Sequence, residues 1–237
     1  MLKTEPIRKR RLYERVAEQI EASILAGDLA PGELLPAERD LCDSFGVSRT
    51  AIREALFALQ QNGLIELENG KRARVVEPSA ARLIDELGGP ARYVLSRPES
   101  LRQLQEARMM FESFLARNAA RNVTPEGLAR ISGALERNRA AIGDREAFVQ
   151  TNIEFHLEIA RVSGNMFLES LHEAVQTWLA EHRRTAIRDP GATERAYQRH
   201  EQIFAAIQAG DADAAEEAMR LHLEESTAAY WHVRDPS

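Results

Sequence analysis

The chain has 237 residues, with 31 Lys+Arg against 37 Asp+Glu for a formal charge of −6, and 44% of its residues are hydrophobic. That length holds one large domain or two ordinary ones with real cores, while the acid excess argues at first against a nucleic-acid binder, whose affinity rests on neutralising phosphates. No apolar run approaches the roughly 18 residues of a membrane span, no apolar stretch follows the basic start, and the single Cys42 rules out an internal disulfide framework or a cysteine-rich zinc site, so a cytoplasmic protein without a membrane partner is expected.

Residues 1–8 read as a flexible basic arm. Leu12, Val16, Ile20 and Ile24 recur every fourth position, one apolar stripe of a helix over residues 12–25, and Gly27 to Gly32 breaks it. Pro36 starts a short second helix that runs to about Phe45. After Gly46-Val47, Ser48 is placed to cap a third helix that buries Ile52, Leu56 and Leu59 and stops at Asn62-Gly63. Leu64–Glu68 and Lys71–Val76 flank Asn69-Gly70, which predicts a β-hairpin. Residues 9–77 therefore form one unit of three helices and a hairpin. Residues 78–99 form a linker with a helix near 80–95, interrupted by Gly88-Gly89-Pro90. From 100 to 232 every segment reads as helix: 101–121 with Leu104, Ala107, Phe111 and Leu115 facing inward, then 124–141, 144–162, 166–187, 192–209 and 211–231, followed by a tail at 233–237. The fold class is mainly α, an N-terminal winged helix-turn-helix and a C-terminal all-α bundle.

Two short helices across a tight turn, the second opening Ser48-Arg49-Thr50-Ala51-Ile52-Arg53, suit a helix-turn-helix, whose second helix puts its N-terminal end into the major groove. Arg49 and Arg53, four apart, share a face. An arginine can grip guanine O6 and N7 with about 1–3 kcal/mol of discrimination. Ser48 and Thr50 can donate to phosphates, and Lys71, Arg72 and Arg74 make the hairpin a basic wing.

The string Pro36-Ala-Glu-Arg-Asp-Leu-Cys-Asp-Ser-Phe-Gly-Val-Ser-Arg-Thr-Ala-Ile-Arg-Glu-Ala-Leu56, with Asn62-Gly63-Leu64-Ile65, resembles the DNA-binding signature of the GntR family of bacterial transcription regulators. The resemblance implies DNA contacts from Arg39, Arg49, Thr50 and Arg53 and from the wing tip at Gly70 and Lys71. Ala51 departs from relatives that carry a hydroxyl there, and its methyl can touch a thymine methyl.

The six histidines are His156, His172, His182, His200, His222 and His232. Asn152 and His156 share a helical face, and His200 and His222 lie on two further helices, each beside apolar residues. Three imidazoles from three helices can converge on a first-row divalent metal, although a histidine beside an apolar stripe is most often a hydrogen-bonded core residue, and His172, His182 and His232 are read that way. The strings Arg108-Met-Met-Phe-Glu112, Asn152-Ile-Glu-Phe-His156, His200 to Asp211 and His222-Leu223 resemble the ligand-binding domain of the FadR-type, or FCD, branch of the family. That branch commonly binds zinc or a related metal through Asp, His, His and His, positions that map to Asn152, His156, His200 and His222, with Asn152 replacing the usual Asp. The position of Arg108 commonly faces the effector, where it would pair a carboxylate bidentately.

The resemblance thus implies a homodimeric repressor on double-stranded operator DNA, controlled by a small carboxylate effector. Asn69-Gly-Lys-Arg-Ala-Arg-Val-Val-Glu-Pro-Ser-Ala80 and Tyr230-Trp231-His232 resemble sialic-acid-responsive members, and hexuronates or other organic acids are alternative effectors. Two competing classes remain. A metal-dependent hydrolase would use the histidines, but no general base, nucleophile elbow or phosphate loop accompanies them, and a helical adaptor would leave the Arg49/Arg53 face unused. The charge balance does not oppose DNA once it is placed along the chain. Residues 1–79 hold 12 Lys+Arg against 13 Asp+Glu, and the positives cluster on the arm, the recognition helix and the wing.

Overall fold

The computed structural model describes residues 11–68, 70–77, 84 and 88–235. The arm at 1–8, Asn69, most of the expected linker helix near 80–87 and the last two residues of the tail lie outside them. The chain divides into two compact units, Met1–Leu83 and Ile84–Ser237.

The first unit contains α1 (Leu12–Ala26), α2 (Glu38–Phe45), α3 (Arg49–Gln61), β1 (Ile65–Glu66) and β2 (Arg74–Val75). Val16 and Ile20 of the predicted stripe are buried with Leu41, Ile52, Leu56, Leu59, Ile65 and Val75 in one core, while Leu12, at its end, is exposed. Gly46 carries the tight turn between α2 and α3 at φ 63°, a backbone that residues with a Cβ rarely adopt. Ser48 then caps α3, its Oγ accepting from the Ala51 N–H at 3.3 Å.

The wing is smaller and better braced than the alternation predicts. Ile65 pairs with Val75 and Glu66 with Arg74, and on the other side of β2 residues 32–35 add a further edge. Gly32 N–H donates to Val75 O at 2.7 Å, Val75 N–H to Glu33 O at 2.8 Å and Leu35 N–H to Ala73 O at 2.8 Å. The sequence marks only the break at residues 27–32, and of residues 32–35 only Leu35 is buried. Their pairing is carried by the backbone, which leaves no side-chain pattern.

Among the described residues the second unit holds α4 (Gly88–Leu95), α5 (Pro98–Asn122), α6 (Pro125–Ala140), α7 (Arg145–Arg161), α8 (Met166–Trp178), α9 (Ala180–Ala186), α10 (Ala192–Ala209) and α11 (Ala212–Arg234). Thr124, Asp144, Asn165 and Asp211 cap the helices that follow them, each satisfying backbone N–H groups that have no intrahelical acceptor. Leu115, Ala119, Ile131, Phe155, Ile159, Ile203, Ile207, Met219 and Leu223 form the larger core, and Leu101, Val175, Leu179, Ala186 and Tyr230 a smaller one.

Two sequence expectations change here. The helix expected over 166–187 breaks at Leu179. No Gly or Pro marks the break; instead the Arg183 guanidinium donates to the Gln176 backbone carbonyl, replacing the helical bond that carbonyl would otherwise accept. On α5 the expected inward face holds in part. Leu115 is buried and Leu104 and Phe111 pack against the cores, but Ala107 is exposed, and between Leu101 and Leu115 the buried positions are Gln105, Arg108, Glu112 and Ser113. The buried face of this helix is polar in its middle, where the functional residues lie.

Candidate functional site

In the first unit, Arg39, Ser48, Arg49, Thr50, Arg53, Gly70 and Lys71 are all exposed. Arg53 Nε donates to Glu38 at 3.0 Å with its side chain 69% exposed, a surface pair worth about 0–1 kcal/mol that does not commit the guanidinium. Gly70 stands at φ 74° in a turn closed by the Lys71 N–H donating to Glu68 O at 3.1 Å, and Lys71 Nζ pairs with Glu68. Ala51 is only 8% exposed, which leaves its methyl little surface to offer a base. Arg72 and Arg74 are exposed and also brace the wing: Arg72 Nε donates to Leu35 O at 2.7 Å and Arg74 Nη1 to Gly32 O at 2.6 Å, holding the added edge on it.

In the second unit, α7 carries Asn152 and His156 one turn apart, α10 carries His200 and α11 carries His222. All three histidines are buried, and their ring nitrogens converge. His156 Nε2 lies 3.2 Å from His222 Nε2, His200 Nε2 lies 3.3 Å from His222 Nε2, and the Asn152 amide lies 3.3 Å from His200 Nε2. The four sequence-predicted ligands therefore meet at one point. The opposite edge of two rings is already engaged. His156 Nδ1 donates to Glu112 Oε2 at 2.5 Å and His200 Nδ1 to Asn138 Oδ1 at 2.9 Å, and the His200 ring also stacks on Phe155 at 4.5 Å between centroids.

These partners fix the tautomers. With the proton on Nδ1, the Nε2 atoms of His156 and His200 are both lone pairs, which the His222 N–H and the Asn152 amide can serve one each, and all of them aim at the same point. A metal ion at that point, in place of the His222 proton, serves all three, and two nitrogens bound to tetrahedral zinc at its usual bond lengths stand about 3.3 Å apart. Burial holds all three imidazoles below the ordinary histidine pKa, His200 and His222 furthest because each also faces another histidine, whereas Glu112 partly offsets the effect at His156. The rings are neutral at pH 7, the state that binds metal. Burial raises the Glu112 carboxyl, but Arg108 and His156 outweigh it and hold the group well below the usual carboxylate range. An ionised acid behind a ligating histidine orients the ring and raises its basicity.

Glu112 is the hub of a wider network. It accepts from Arg108 Nε at 2.6 Å and from Gln176 Nε2 at 3.0 Å, and Gln176 also donates to His172 Nε2 at 2.8 Å. Beside the network a cavity of ≈580 Å³ including its mouth opens past Arg108, Asn152, His222, Arg183, Arg195 and Ser226, with Phe148, Val149 and Ile187 as its apolar wall. That mixture of charged and apolar surfaces suits a small polar ligand. Sequence reasoning missed Glu112, Asn138, Gln176 and Arg183; His172 and His182, read as ordinary core histidines, are buried beside the network. Glu112 stands four residues after Arg108, the spacing of a helical ion pair, and that was the one available signal.

Comparison with known proteins agrees with this architecture. Residues 12–75 match the bacterial regulatory proteins of the gntR family, and residues 103–225 match the FCD domain. The HTH-type transcriptional repressor NanR of Cronobacter sakazakii is 39% identical over 96% of this chain and 88% of its own length, and that of Escherichia coli K12 is 38% identical over 98% and 89%. Among solved structures, a Streptococcus agalactiae GntR protein superposes with a TM-score of 0.60 at 22% identity, covering 91% of this chain and 99% of that one. The E. coli protein McbR/YncC gives 0.54 at 20%, covering 96% and 100%. These two show the fold. Among the described residues no helix is long and apolar enough to cross a membrane. The family consists of non-enzymatic DNA-binding regulators, which removes the hydrolase reading. The chain belongs to the GntR family of bacterial transcription regulators, in the branch that joins a helix-turn-helix unit to an FCD domain, and is homologous to the NanR repressors.

Proposed function

We propose that this regulator represses transcription by binding a two-fold operator as a homodimer, and that a small carboxylate, a sialic acid or another sugar acid, controls that binding from the cavity beside the three histidines. The observation that carries the control site is the convergence of the Nε2 atoms of His156, His200 and His222, with lone pairs that a metal ion would satisfy together. Those three histidines and Asn152 would hold a divalent metal of the zinc type, and Arg108 on the same cavity wall would face the acid. A metal held there would take a carboxylate oxygen by expanding to a fifth position, or as its fourth ligand where the three histidines alone hold it.

Arg39, Arg49, Thr50 and Arg53, with Ser48 and the wing tip at Gly70 and Lys71, are the proposed DNA contacts, supported by their exposure on one unit and by the match to the family's DNA-binding region. Met110 and Phe114, one turn apart on α5 and 69% and 53% exposed, support self-association, and a two-fold dimer suits half-sites spaced by turns of the double helix. An effector changes operator affinity only if it binds the DNA-competent and DNA-incompetent arrangements unequally. The experiment is fluorescence anisotropy of operator DNA with and without N-acetylneuraminate, using metal-loaded and chelator-stripped protein. Weakened DNA binding that needs both acid and metal is expected. The same DNA affinity in all four conditions, with this acid and with galacturonate, refutes control from this cavity.

A further inference from the structure

The cavity wall holds one more buried positive charge than its carboxylates neutralise. Arg108 is paired with Glu112, Arg195 with Asp189, and Glu225 with Arg199. Arg183 is different. It lines the cavity, is only 5% exposed, and has no ion-pair partner among the described residues. Its Nη1 donates to Gln176 Oε1 at 2.5 Å and its Nη2 to the Gln176 carbonyl, both neutral acceptors, while its Nε is buried without any hydrogen bond. Burial, with Arg108 adding to it, brings its pKa down to about 9, so the side chain stays charged at neutral pH. A buried guanidinium without a counter-ion is costly, and ligand cavities are where such a cost is relieved by the ligand itself.

We infer that Arg183 and Arg108 form a two-guanidinium clamp on the effector's carboxylate, with the acid supplying the counter-charge that Arg183 lacks and Arg183 setting the preference for acids over neutral analogues. Arg108 has its Nε committed to Glu112 and presents its remaining N–H groups; Arg183 exchanges the neutral amide oxygen of Gln176 for an ionised one, a stronger acceptor. The charge that Arg183 leaves unpaired favours a carboxylate beside it, and Phe148, Val149 and Ile187 leave the rest of the cavity to the body of the molecule. This inference rests on the cavity being the effector site.

The test is calorimetric titration of the full-length, metal-loaded chain with N-acetylneuraminate and with its methyl ester. Wild type is expected to bind the acid at least roughly tenfold more tightly than the ester. Arg183→Gln is expected to lose about tenfold or more for the acid and nothing for the ester, so that the gap between the two narrows. A role confined to bracing the α8–α9 break would weaken acid and ester alike, and that result overturns the clamp. Unchanged acid binding in Arg183→Gln also overturns it while leaving the effector site standing. A wild type that binds neither this acid nor galacturonate overturns the effector site and the clamp together. Should Arg183→Gln not fold, Arg183→Lys keeps the charge and a donor for the Gln176 carbonyl but loses the planar fork. It must then show weaker acid binding with ester binding unchanged, or the clamp fails.

Discussion

Replacing Glu112 with Gln tests the buried network at its hub, because the substitution keeps volume and removes one charge. In the native arrangement Oε1 accepts from Arg108 and Gln176, and Oε2 accepts from His156 Nδ1. A glutamine has one acceptor oxygen. If that oxygen keeps Arg108 and Gln176, the amide NH2 faces His156 Nδ1, and the imidazole proton must move to Nε2, the atom aimed at the other two histidines. Loss of such a partner behind a ligating histidine typically costs 10–100-fold in metal affinity, about 1.4–2.7 kcal/mol. The same change leaves Arg108, buried with its partner, without its counter-ion, and breaking a buried pair costs about 3–5 kcal/mol, a large share of an ordinary domain's stability of about 5–15 kcal/mol. The two effects separate experimentally. Zinc affinity is read by competition with a chromophoric chelator, and stability of the metal-free chain by urea denaturation. Both should fall. A destabilised variant that binds zinc as tightly as wild type would refute the argument that Glu112 fixes the His156 tautomer for a metal.

Other consequences follow from single residues. Arg53→Ala should weaken operator binding by about 1–3 kcal/mol and relax selectivity at one base pair in a competition assay; undiminished affinity and selectivity would remove Arg53 from base reading. Asn152→Asp should tighten zinc at least roughly tenfold by adding a negative charge to the ligand set, and unchanged affinity would place Asn152 outside that set. His182 is buried against Tyr230 with neither ring nitrogen hydrogen-bonded, and burial with the charges of Arg108 and Arg183 lowers its pKa to about 3. Its folded pKa lies below its unfolded one, so its contribution is complete above about pH 6.5 and is lost as pH falls toward 3. Between pH 7 and pH 5.5 that amounts to about 1.2 kcal/mol. His182→Phe should flatten the acid limb of the urea-denaturation profile by that amount; an unaltered slope would exclude His182 as its source.

The parts of the fold that were legible in the sequence are those whose cause is local. Ser48 and Thr124 announced helix starts because a cap acts within three residues, and Gly70 announced the wing turn because its φ is positive. The illegible parts depend on contacts that leave no periodic pattern. The edge at residues 32–35 joins β2 through the backbone, some 40 positions away, and the break at Leu179 goes with a bond from the Arg183 guanidinium back to the Gln176 carbonyl, which no spacing of residue types marks. The candidate site divides in the same way. His156, His200 and His222 were singled out by the resemblance to the FCD branch, since apolar neighbours alone point as readily to a core histidine, and the structure brings their rings together. Glu112 and Arg183 look like surface charges on amphipathic helices until the helices are assembled, because nothing local distinguishes a buried charge from a solvated one.

The most direct test of the control site is the metal content of the full-length chain, purified without a histidine tag in zinc-containing buffer, dialysed and measured by elemental analysis. The account predicts about one zinc per chain in wild type, with loss of most of it in His222→Ala. A wild-type chain that retains no metal, or a His222→Ala chain that retains as much as wild type, would contradict it.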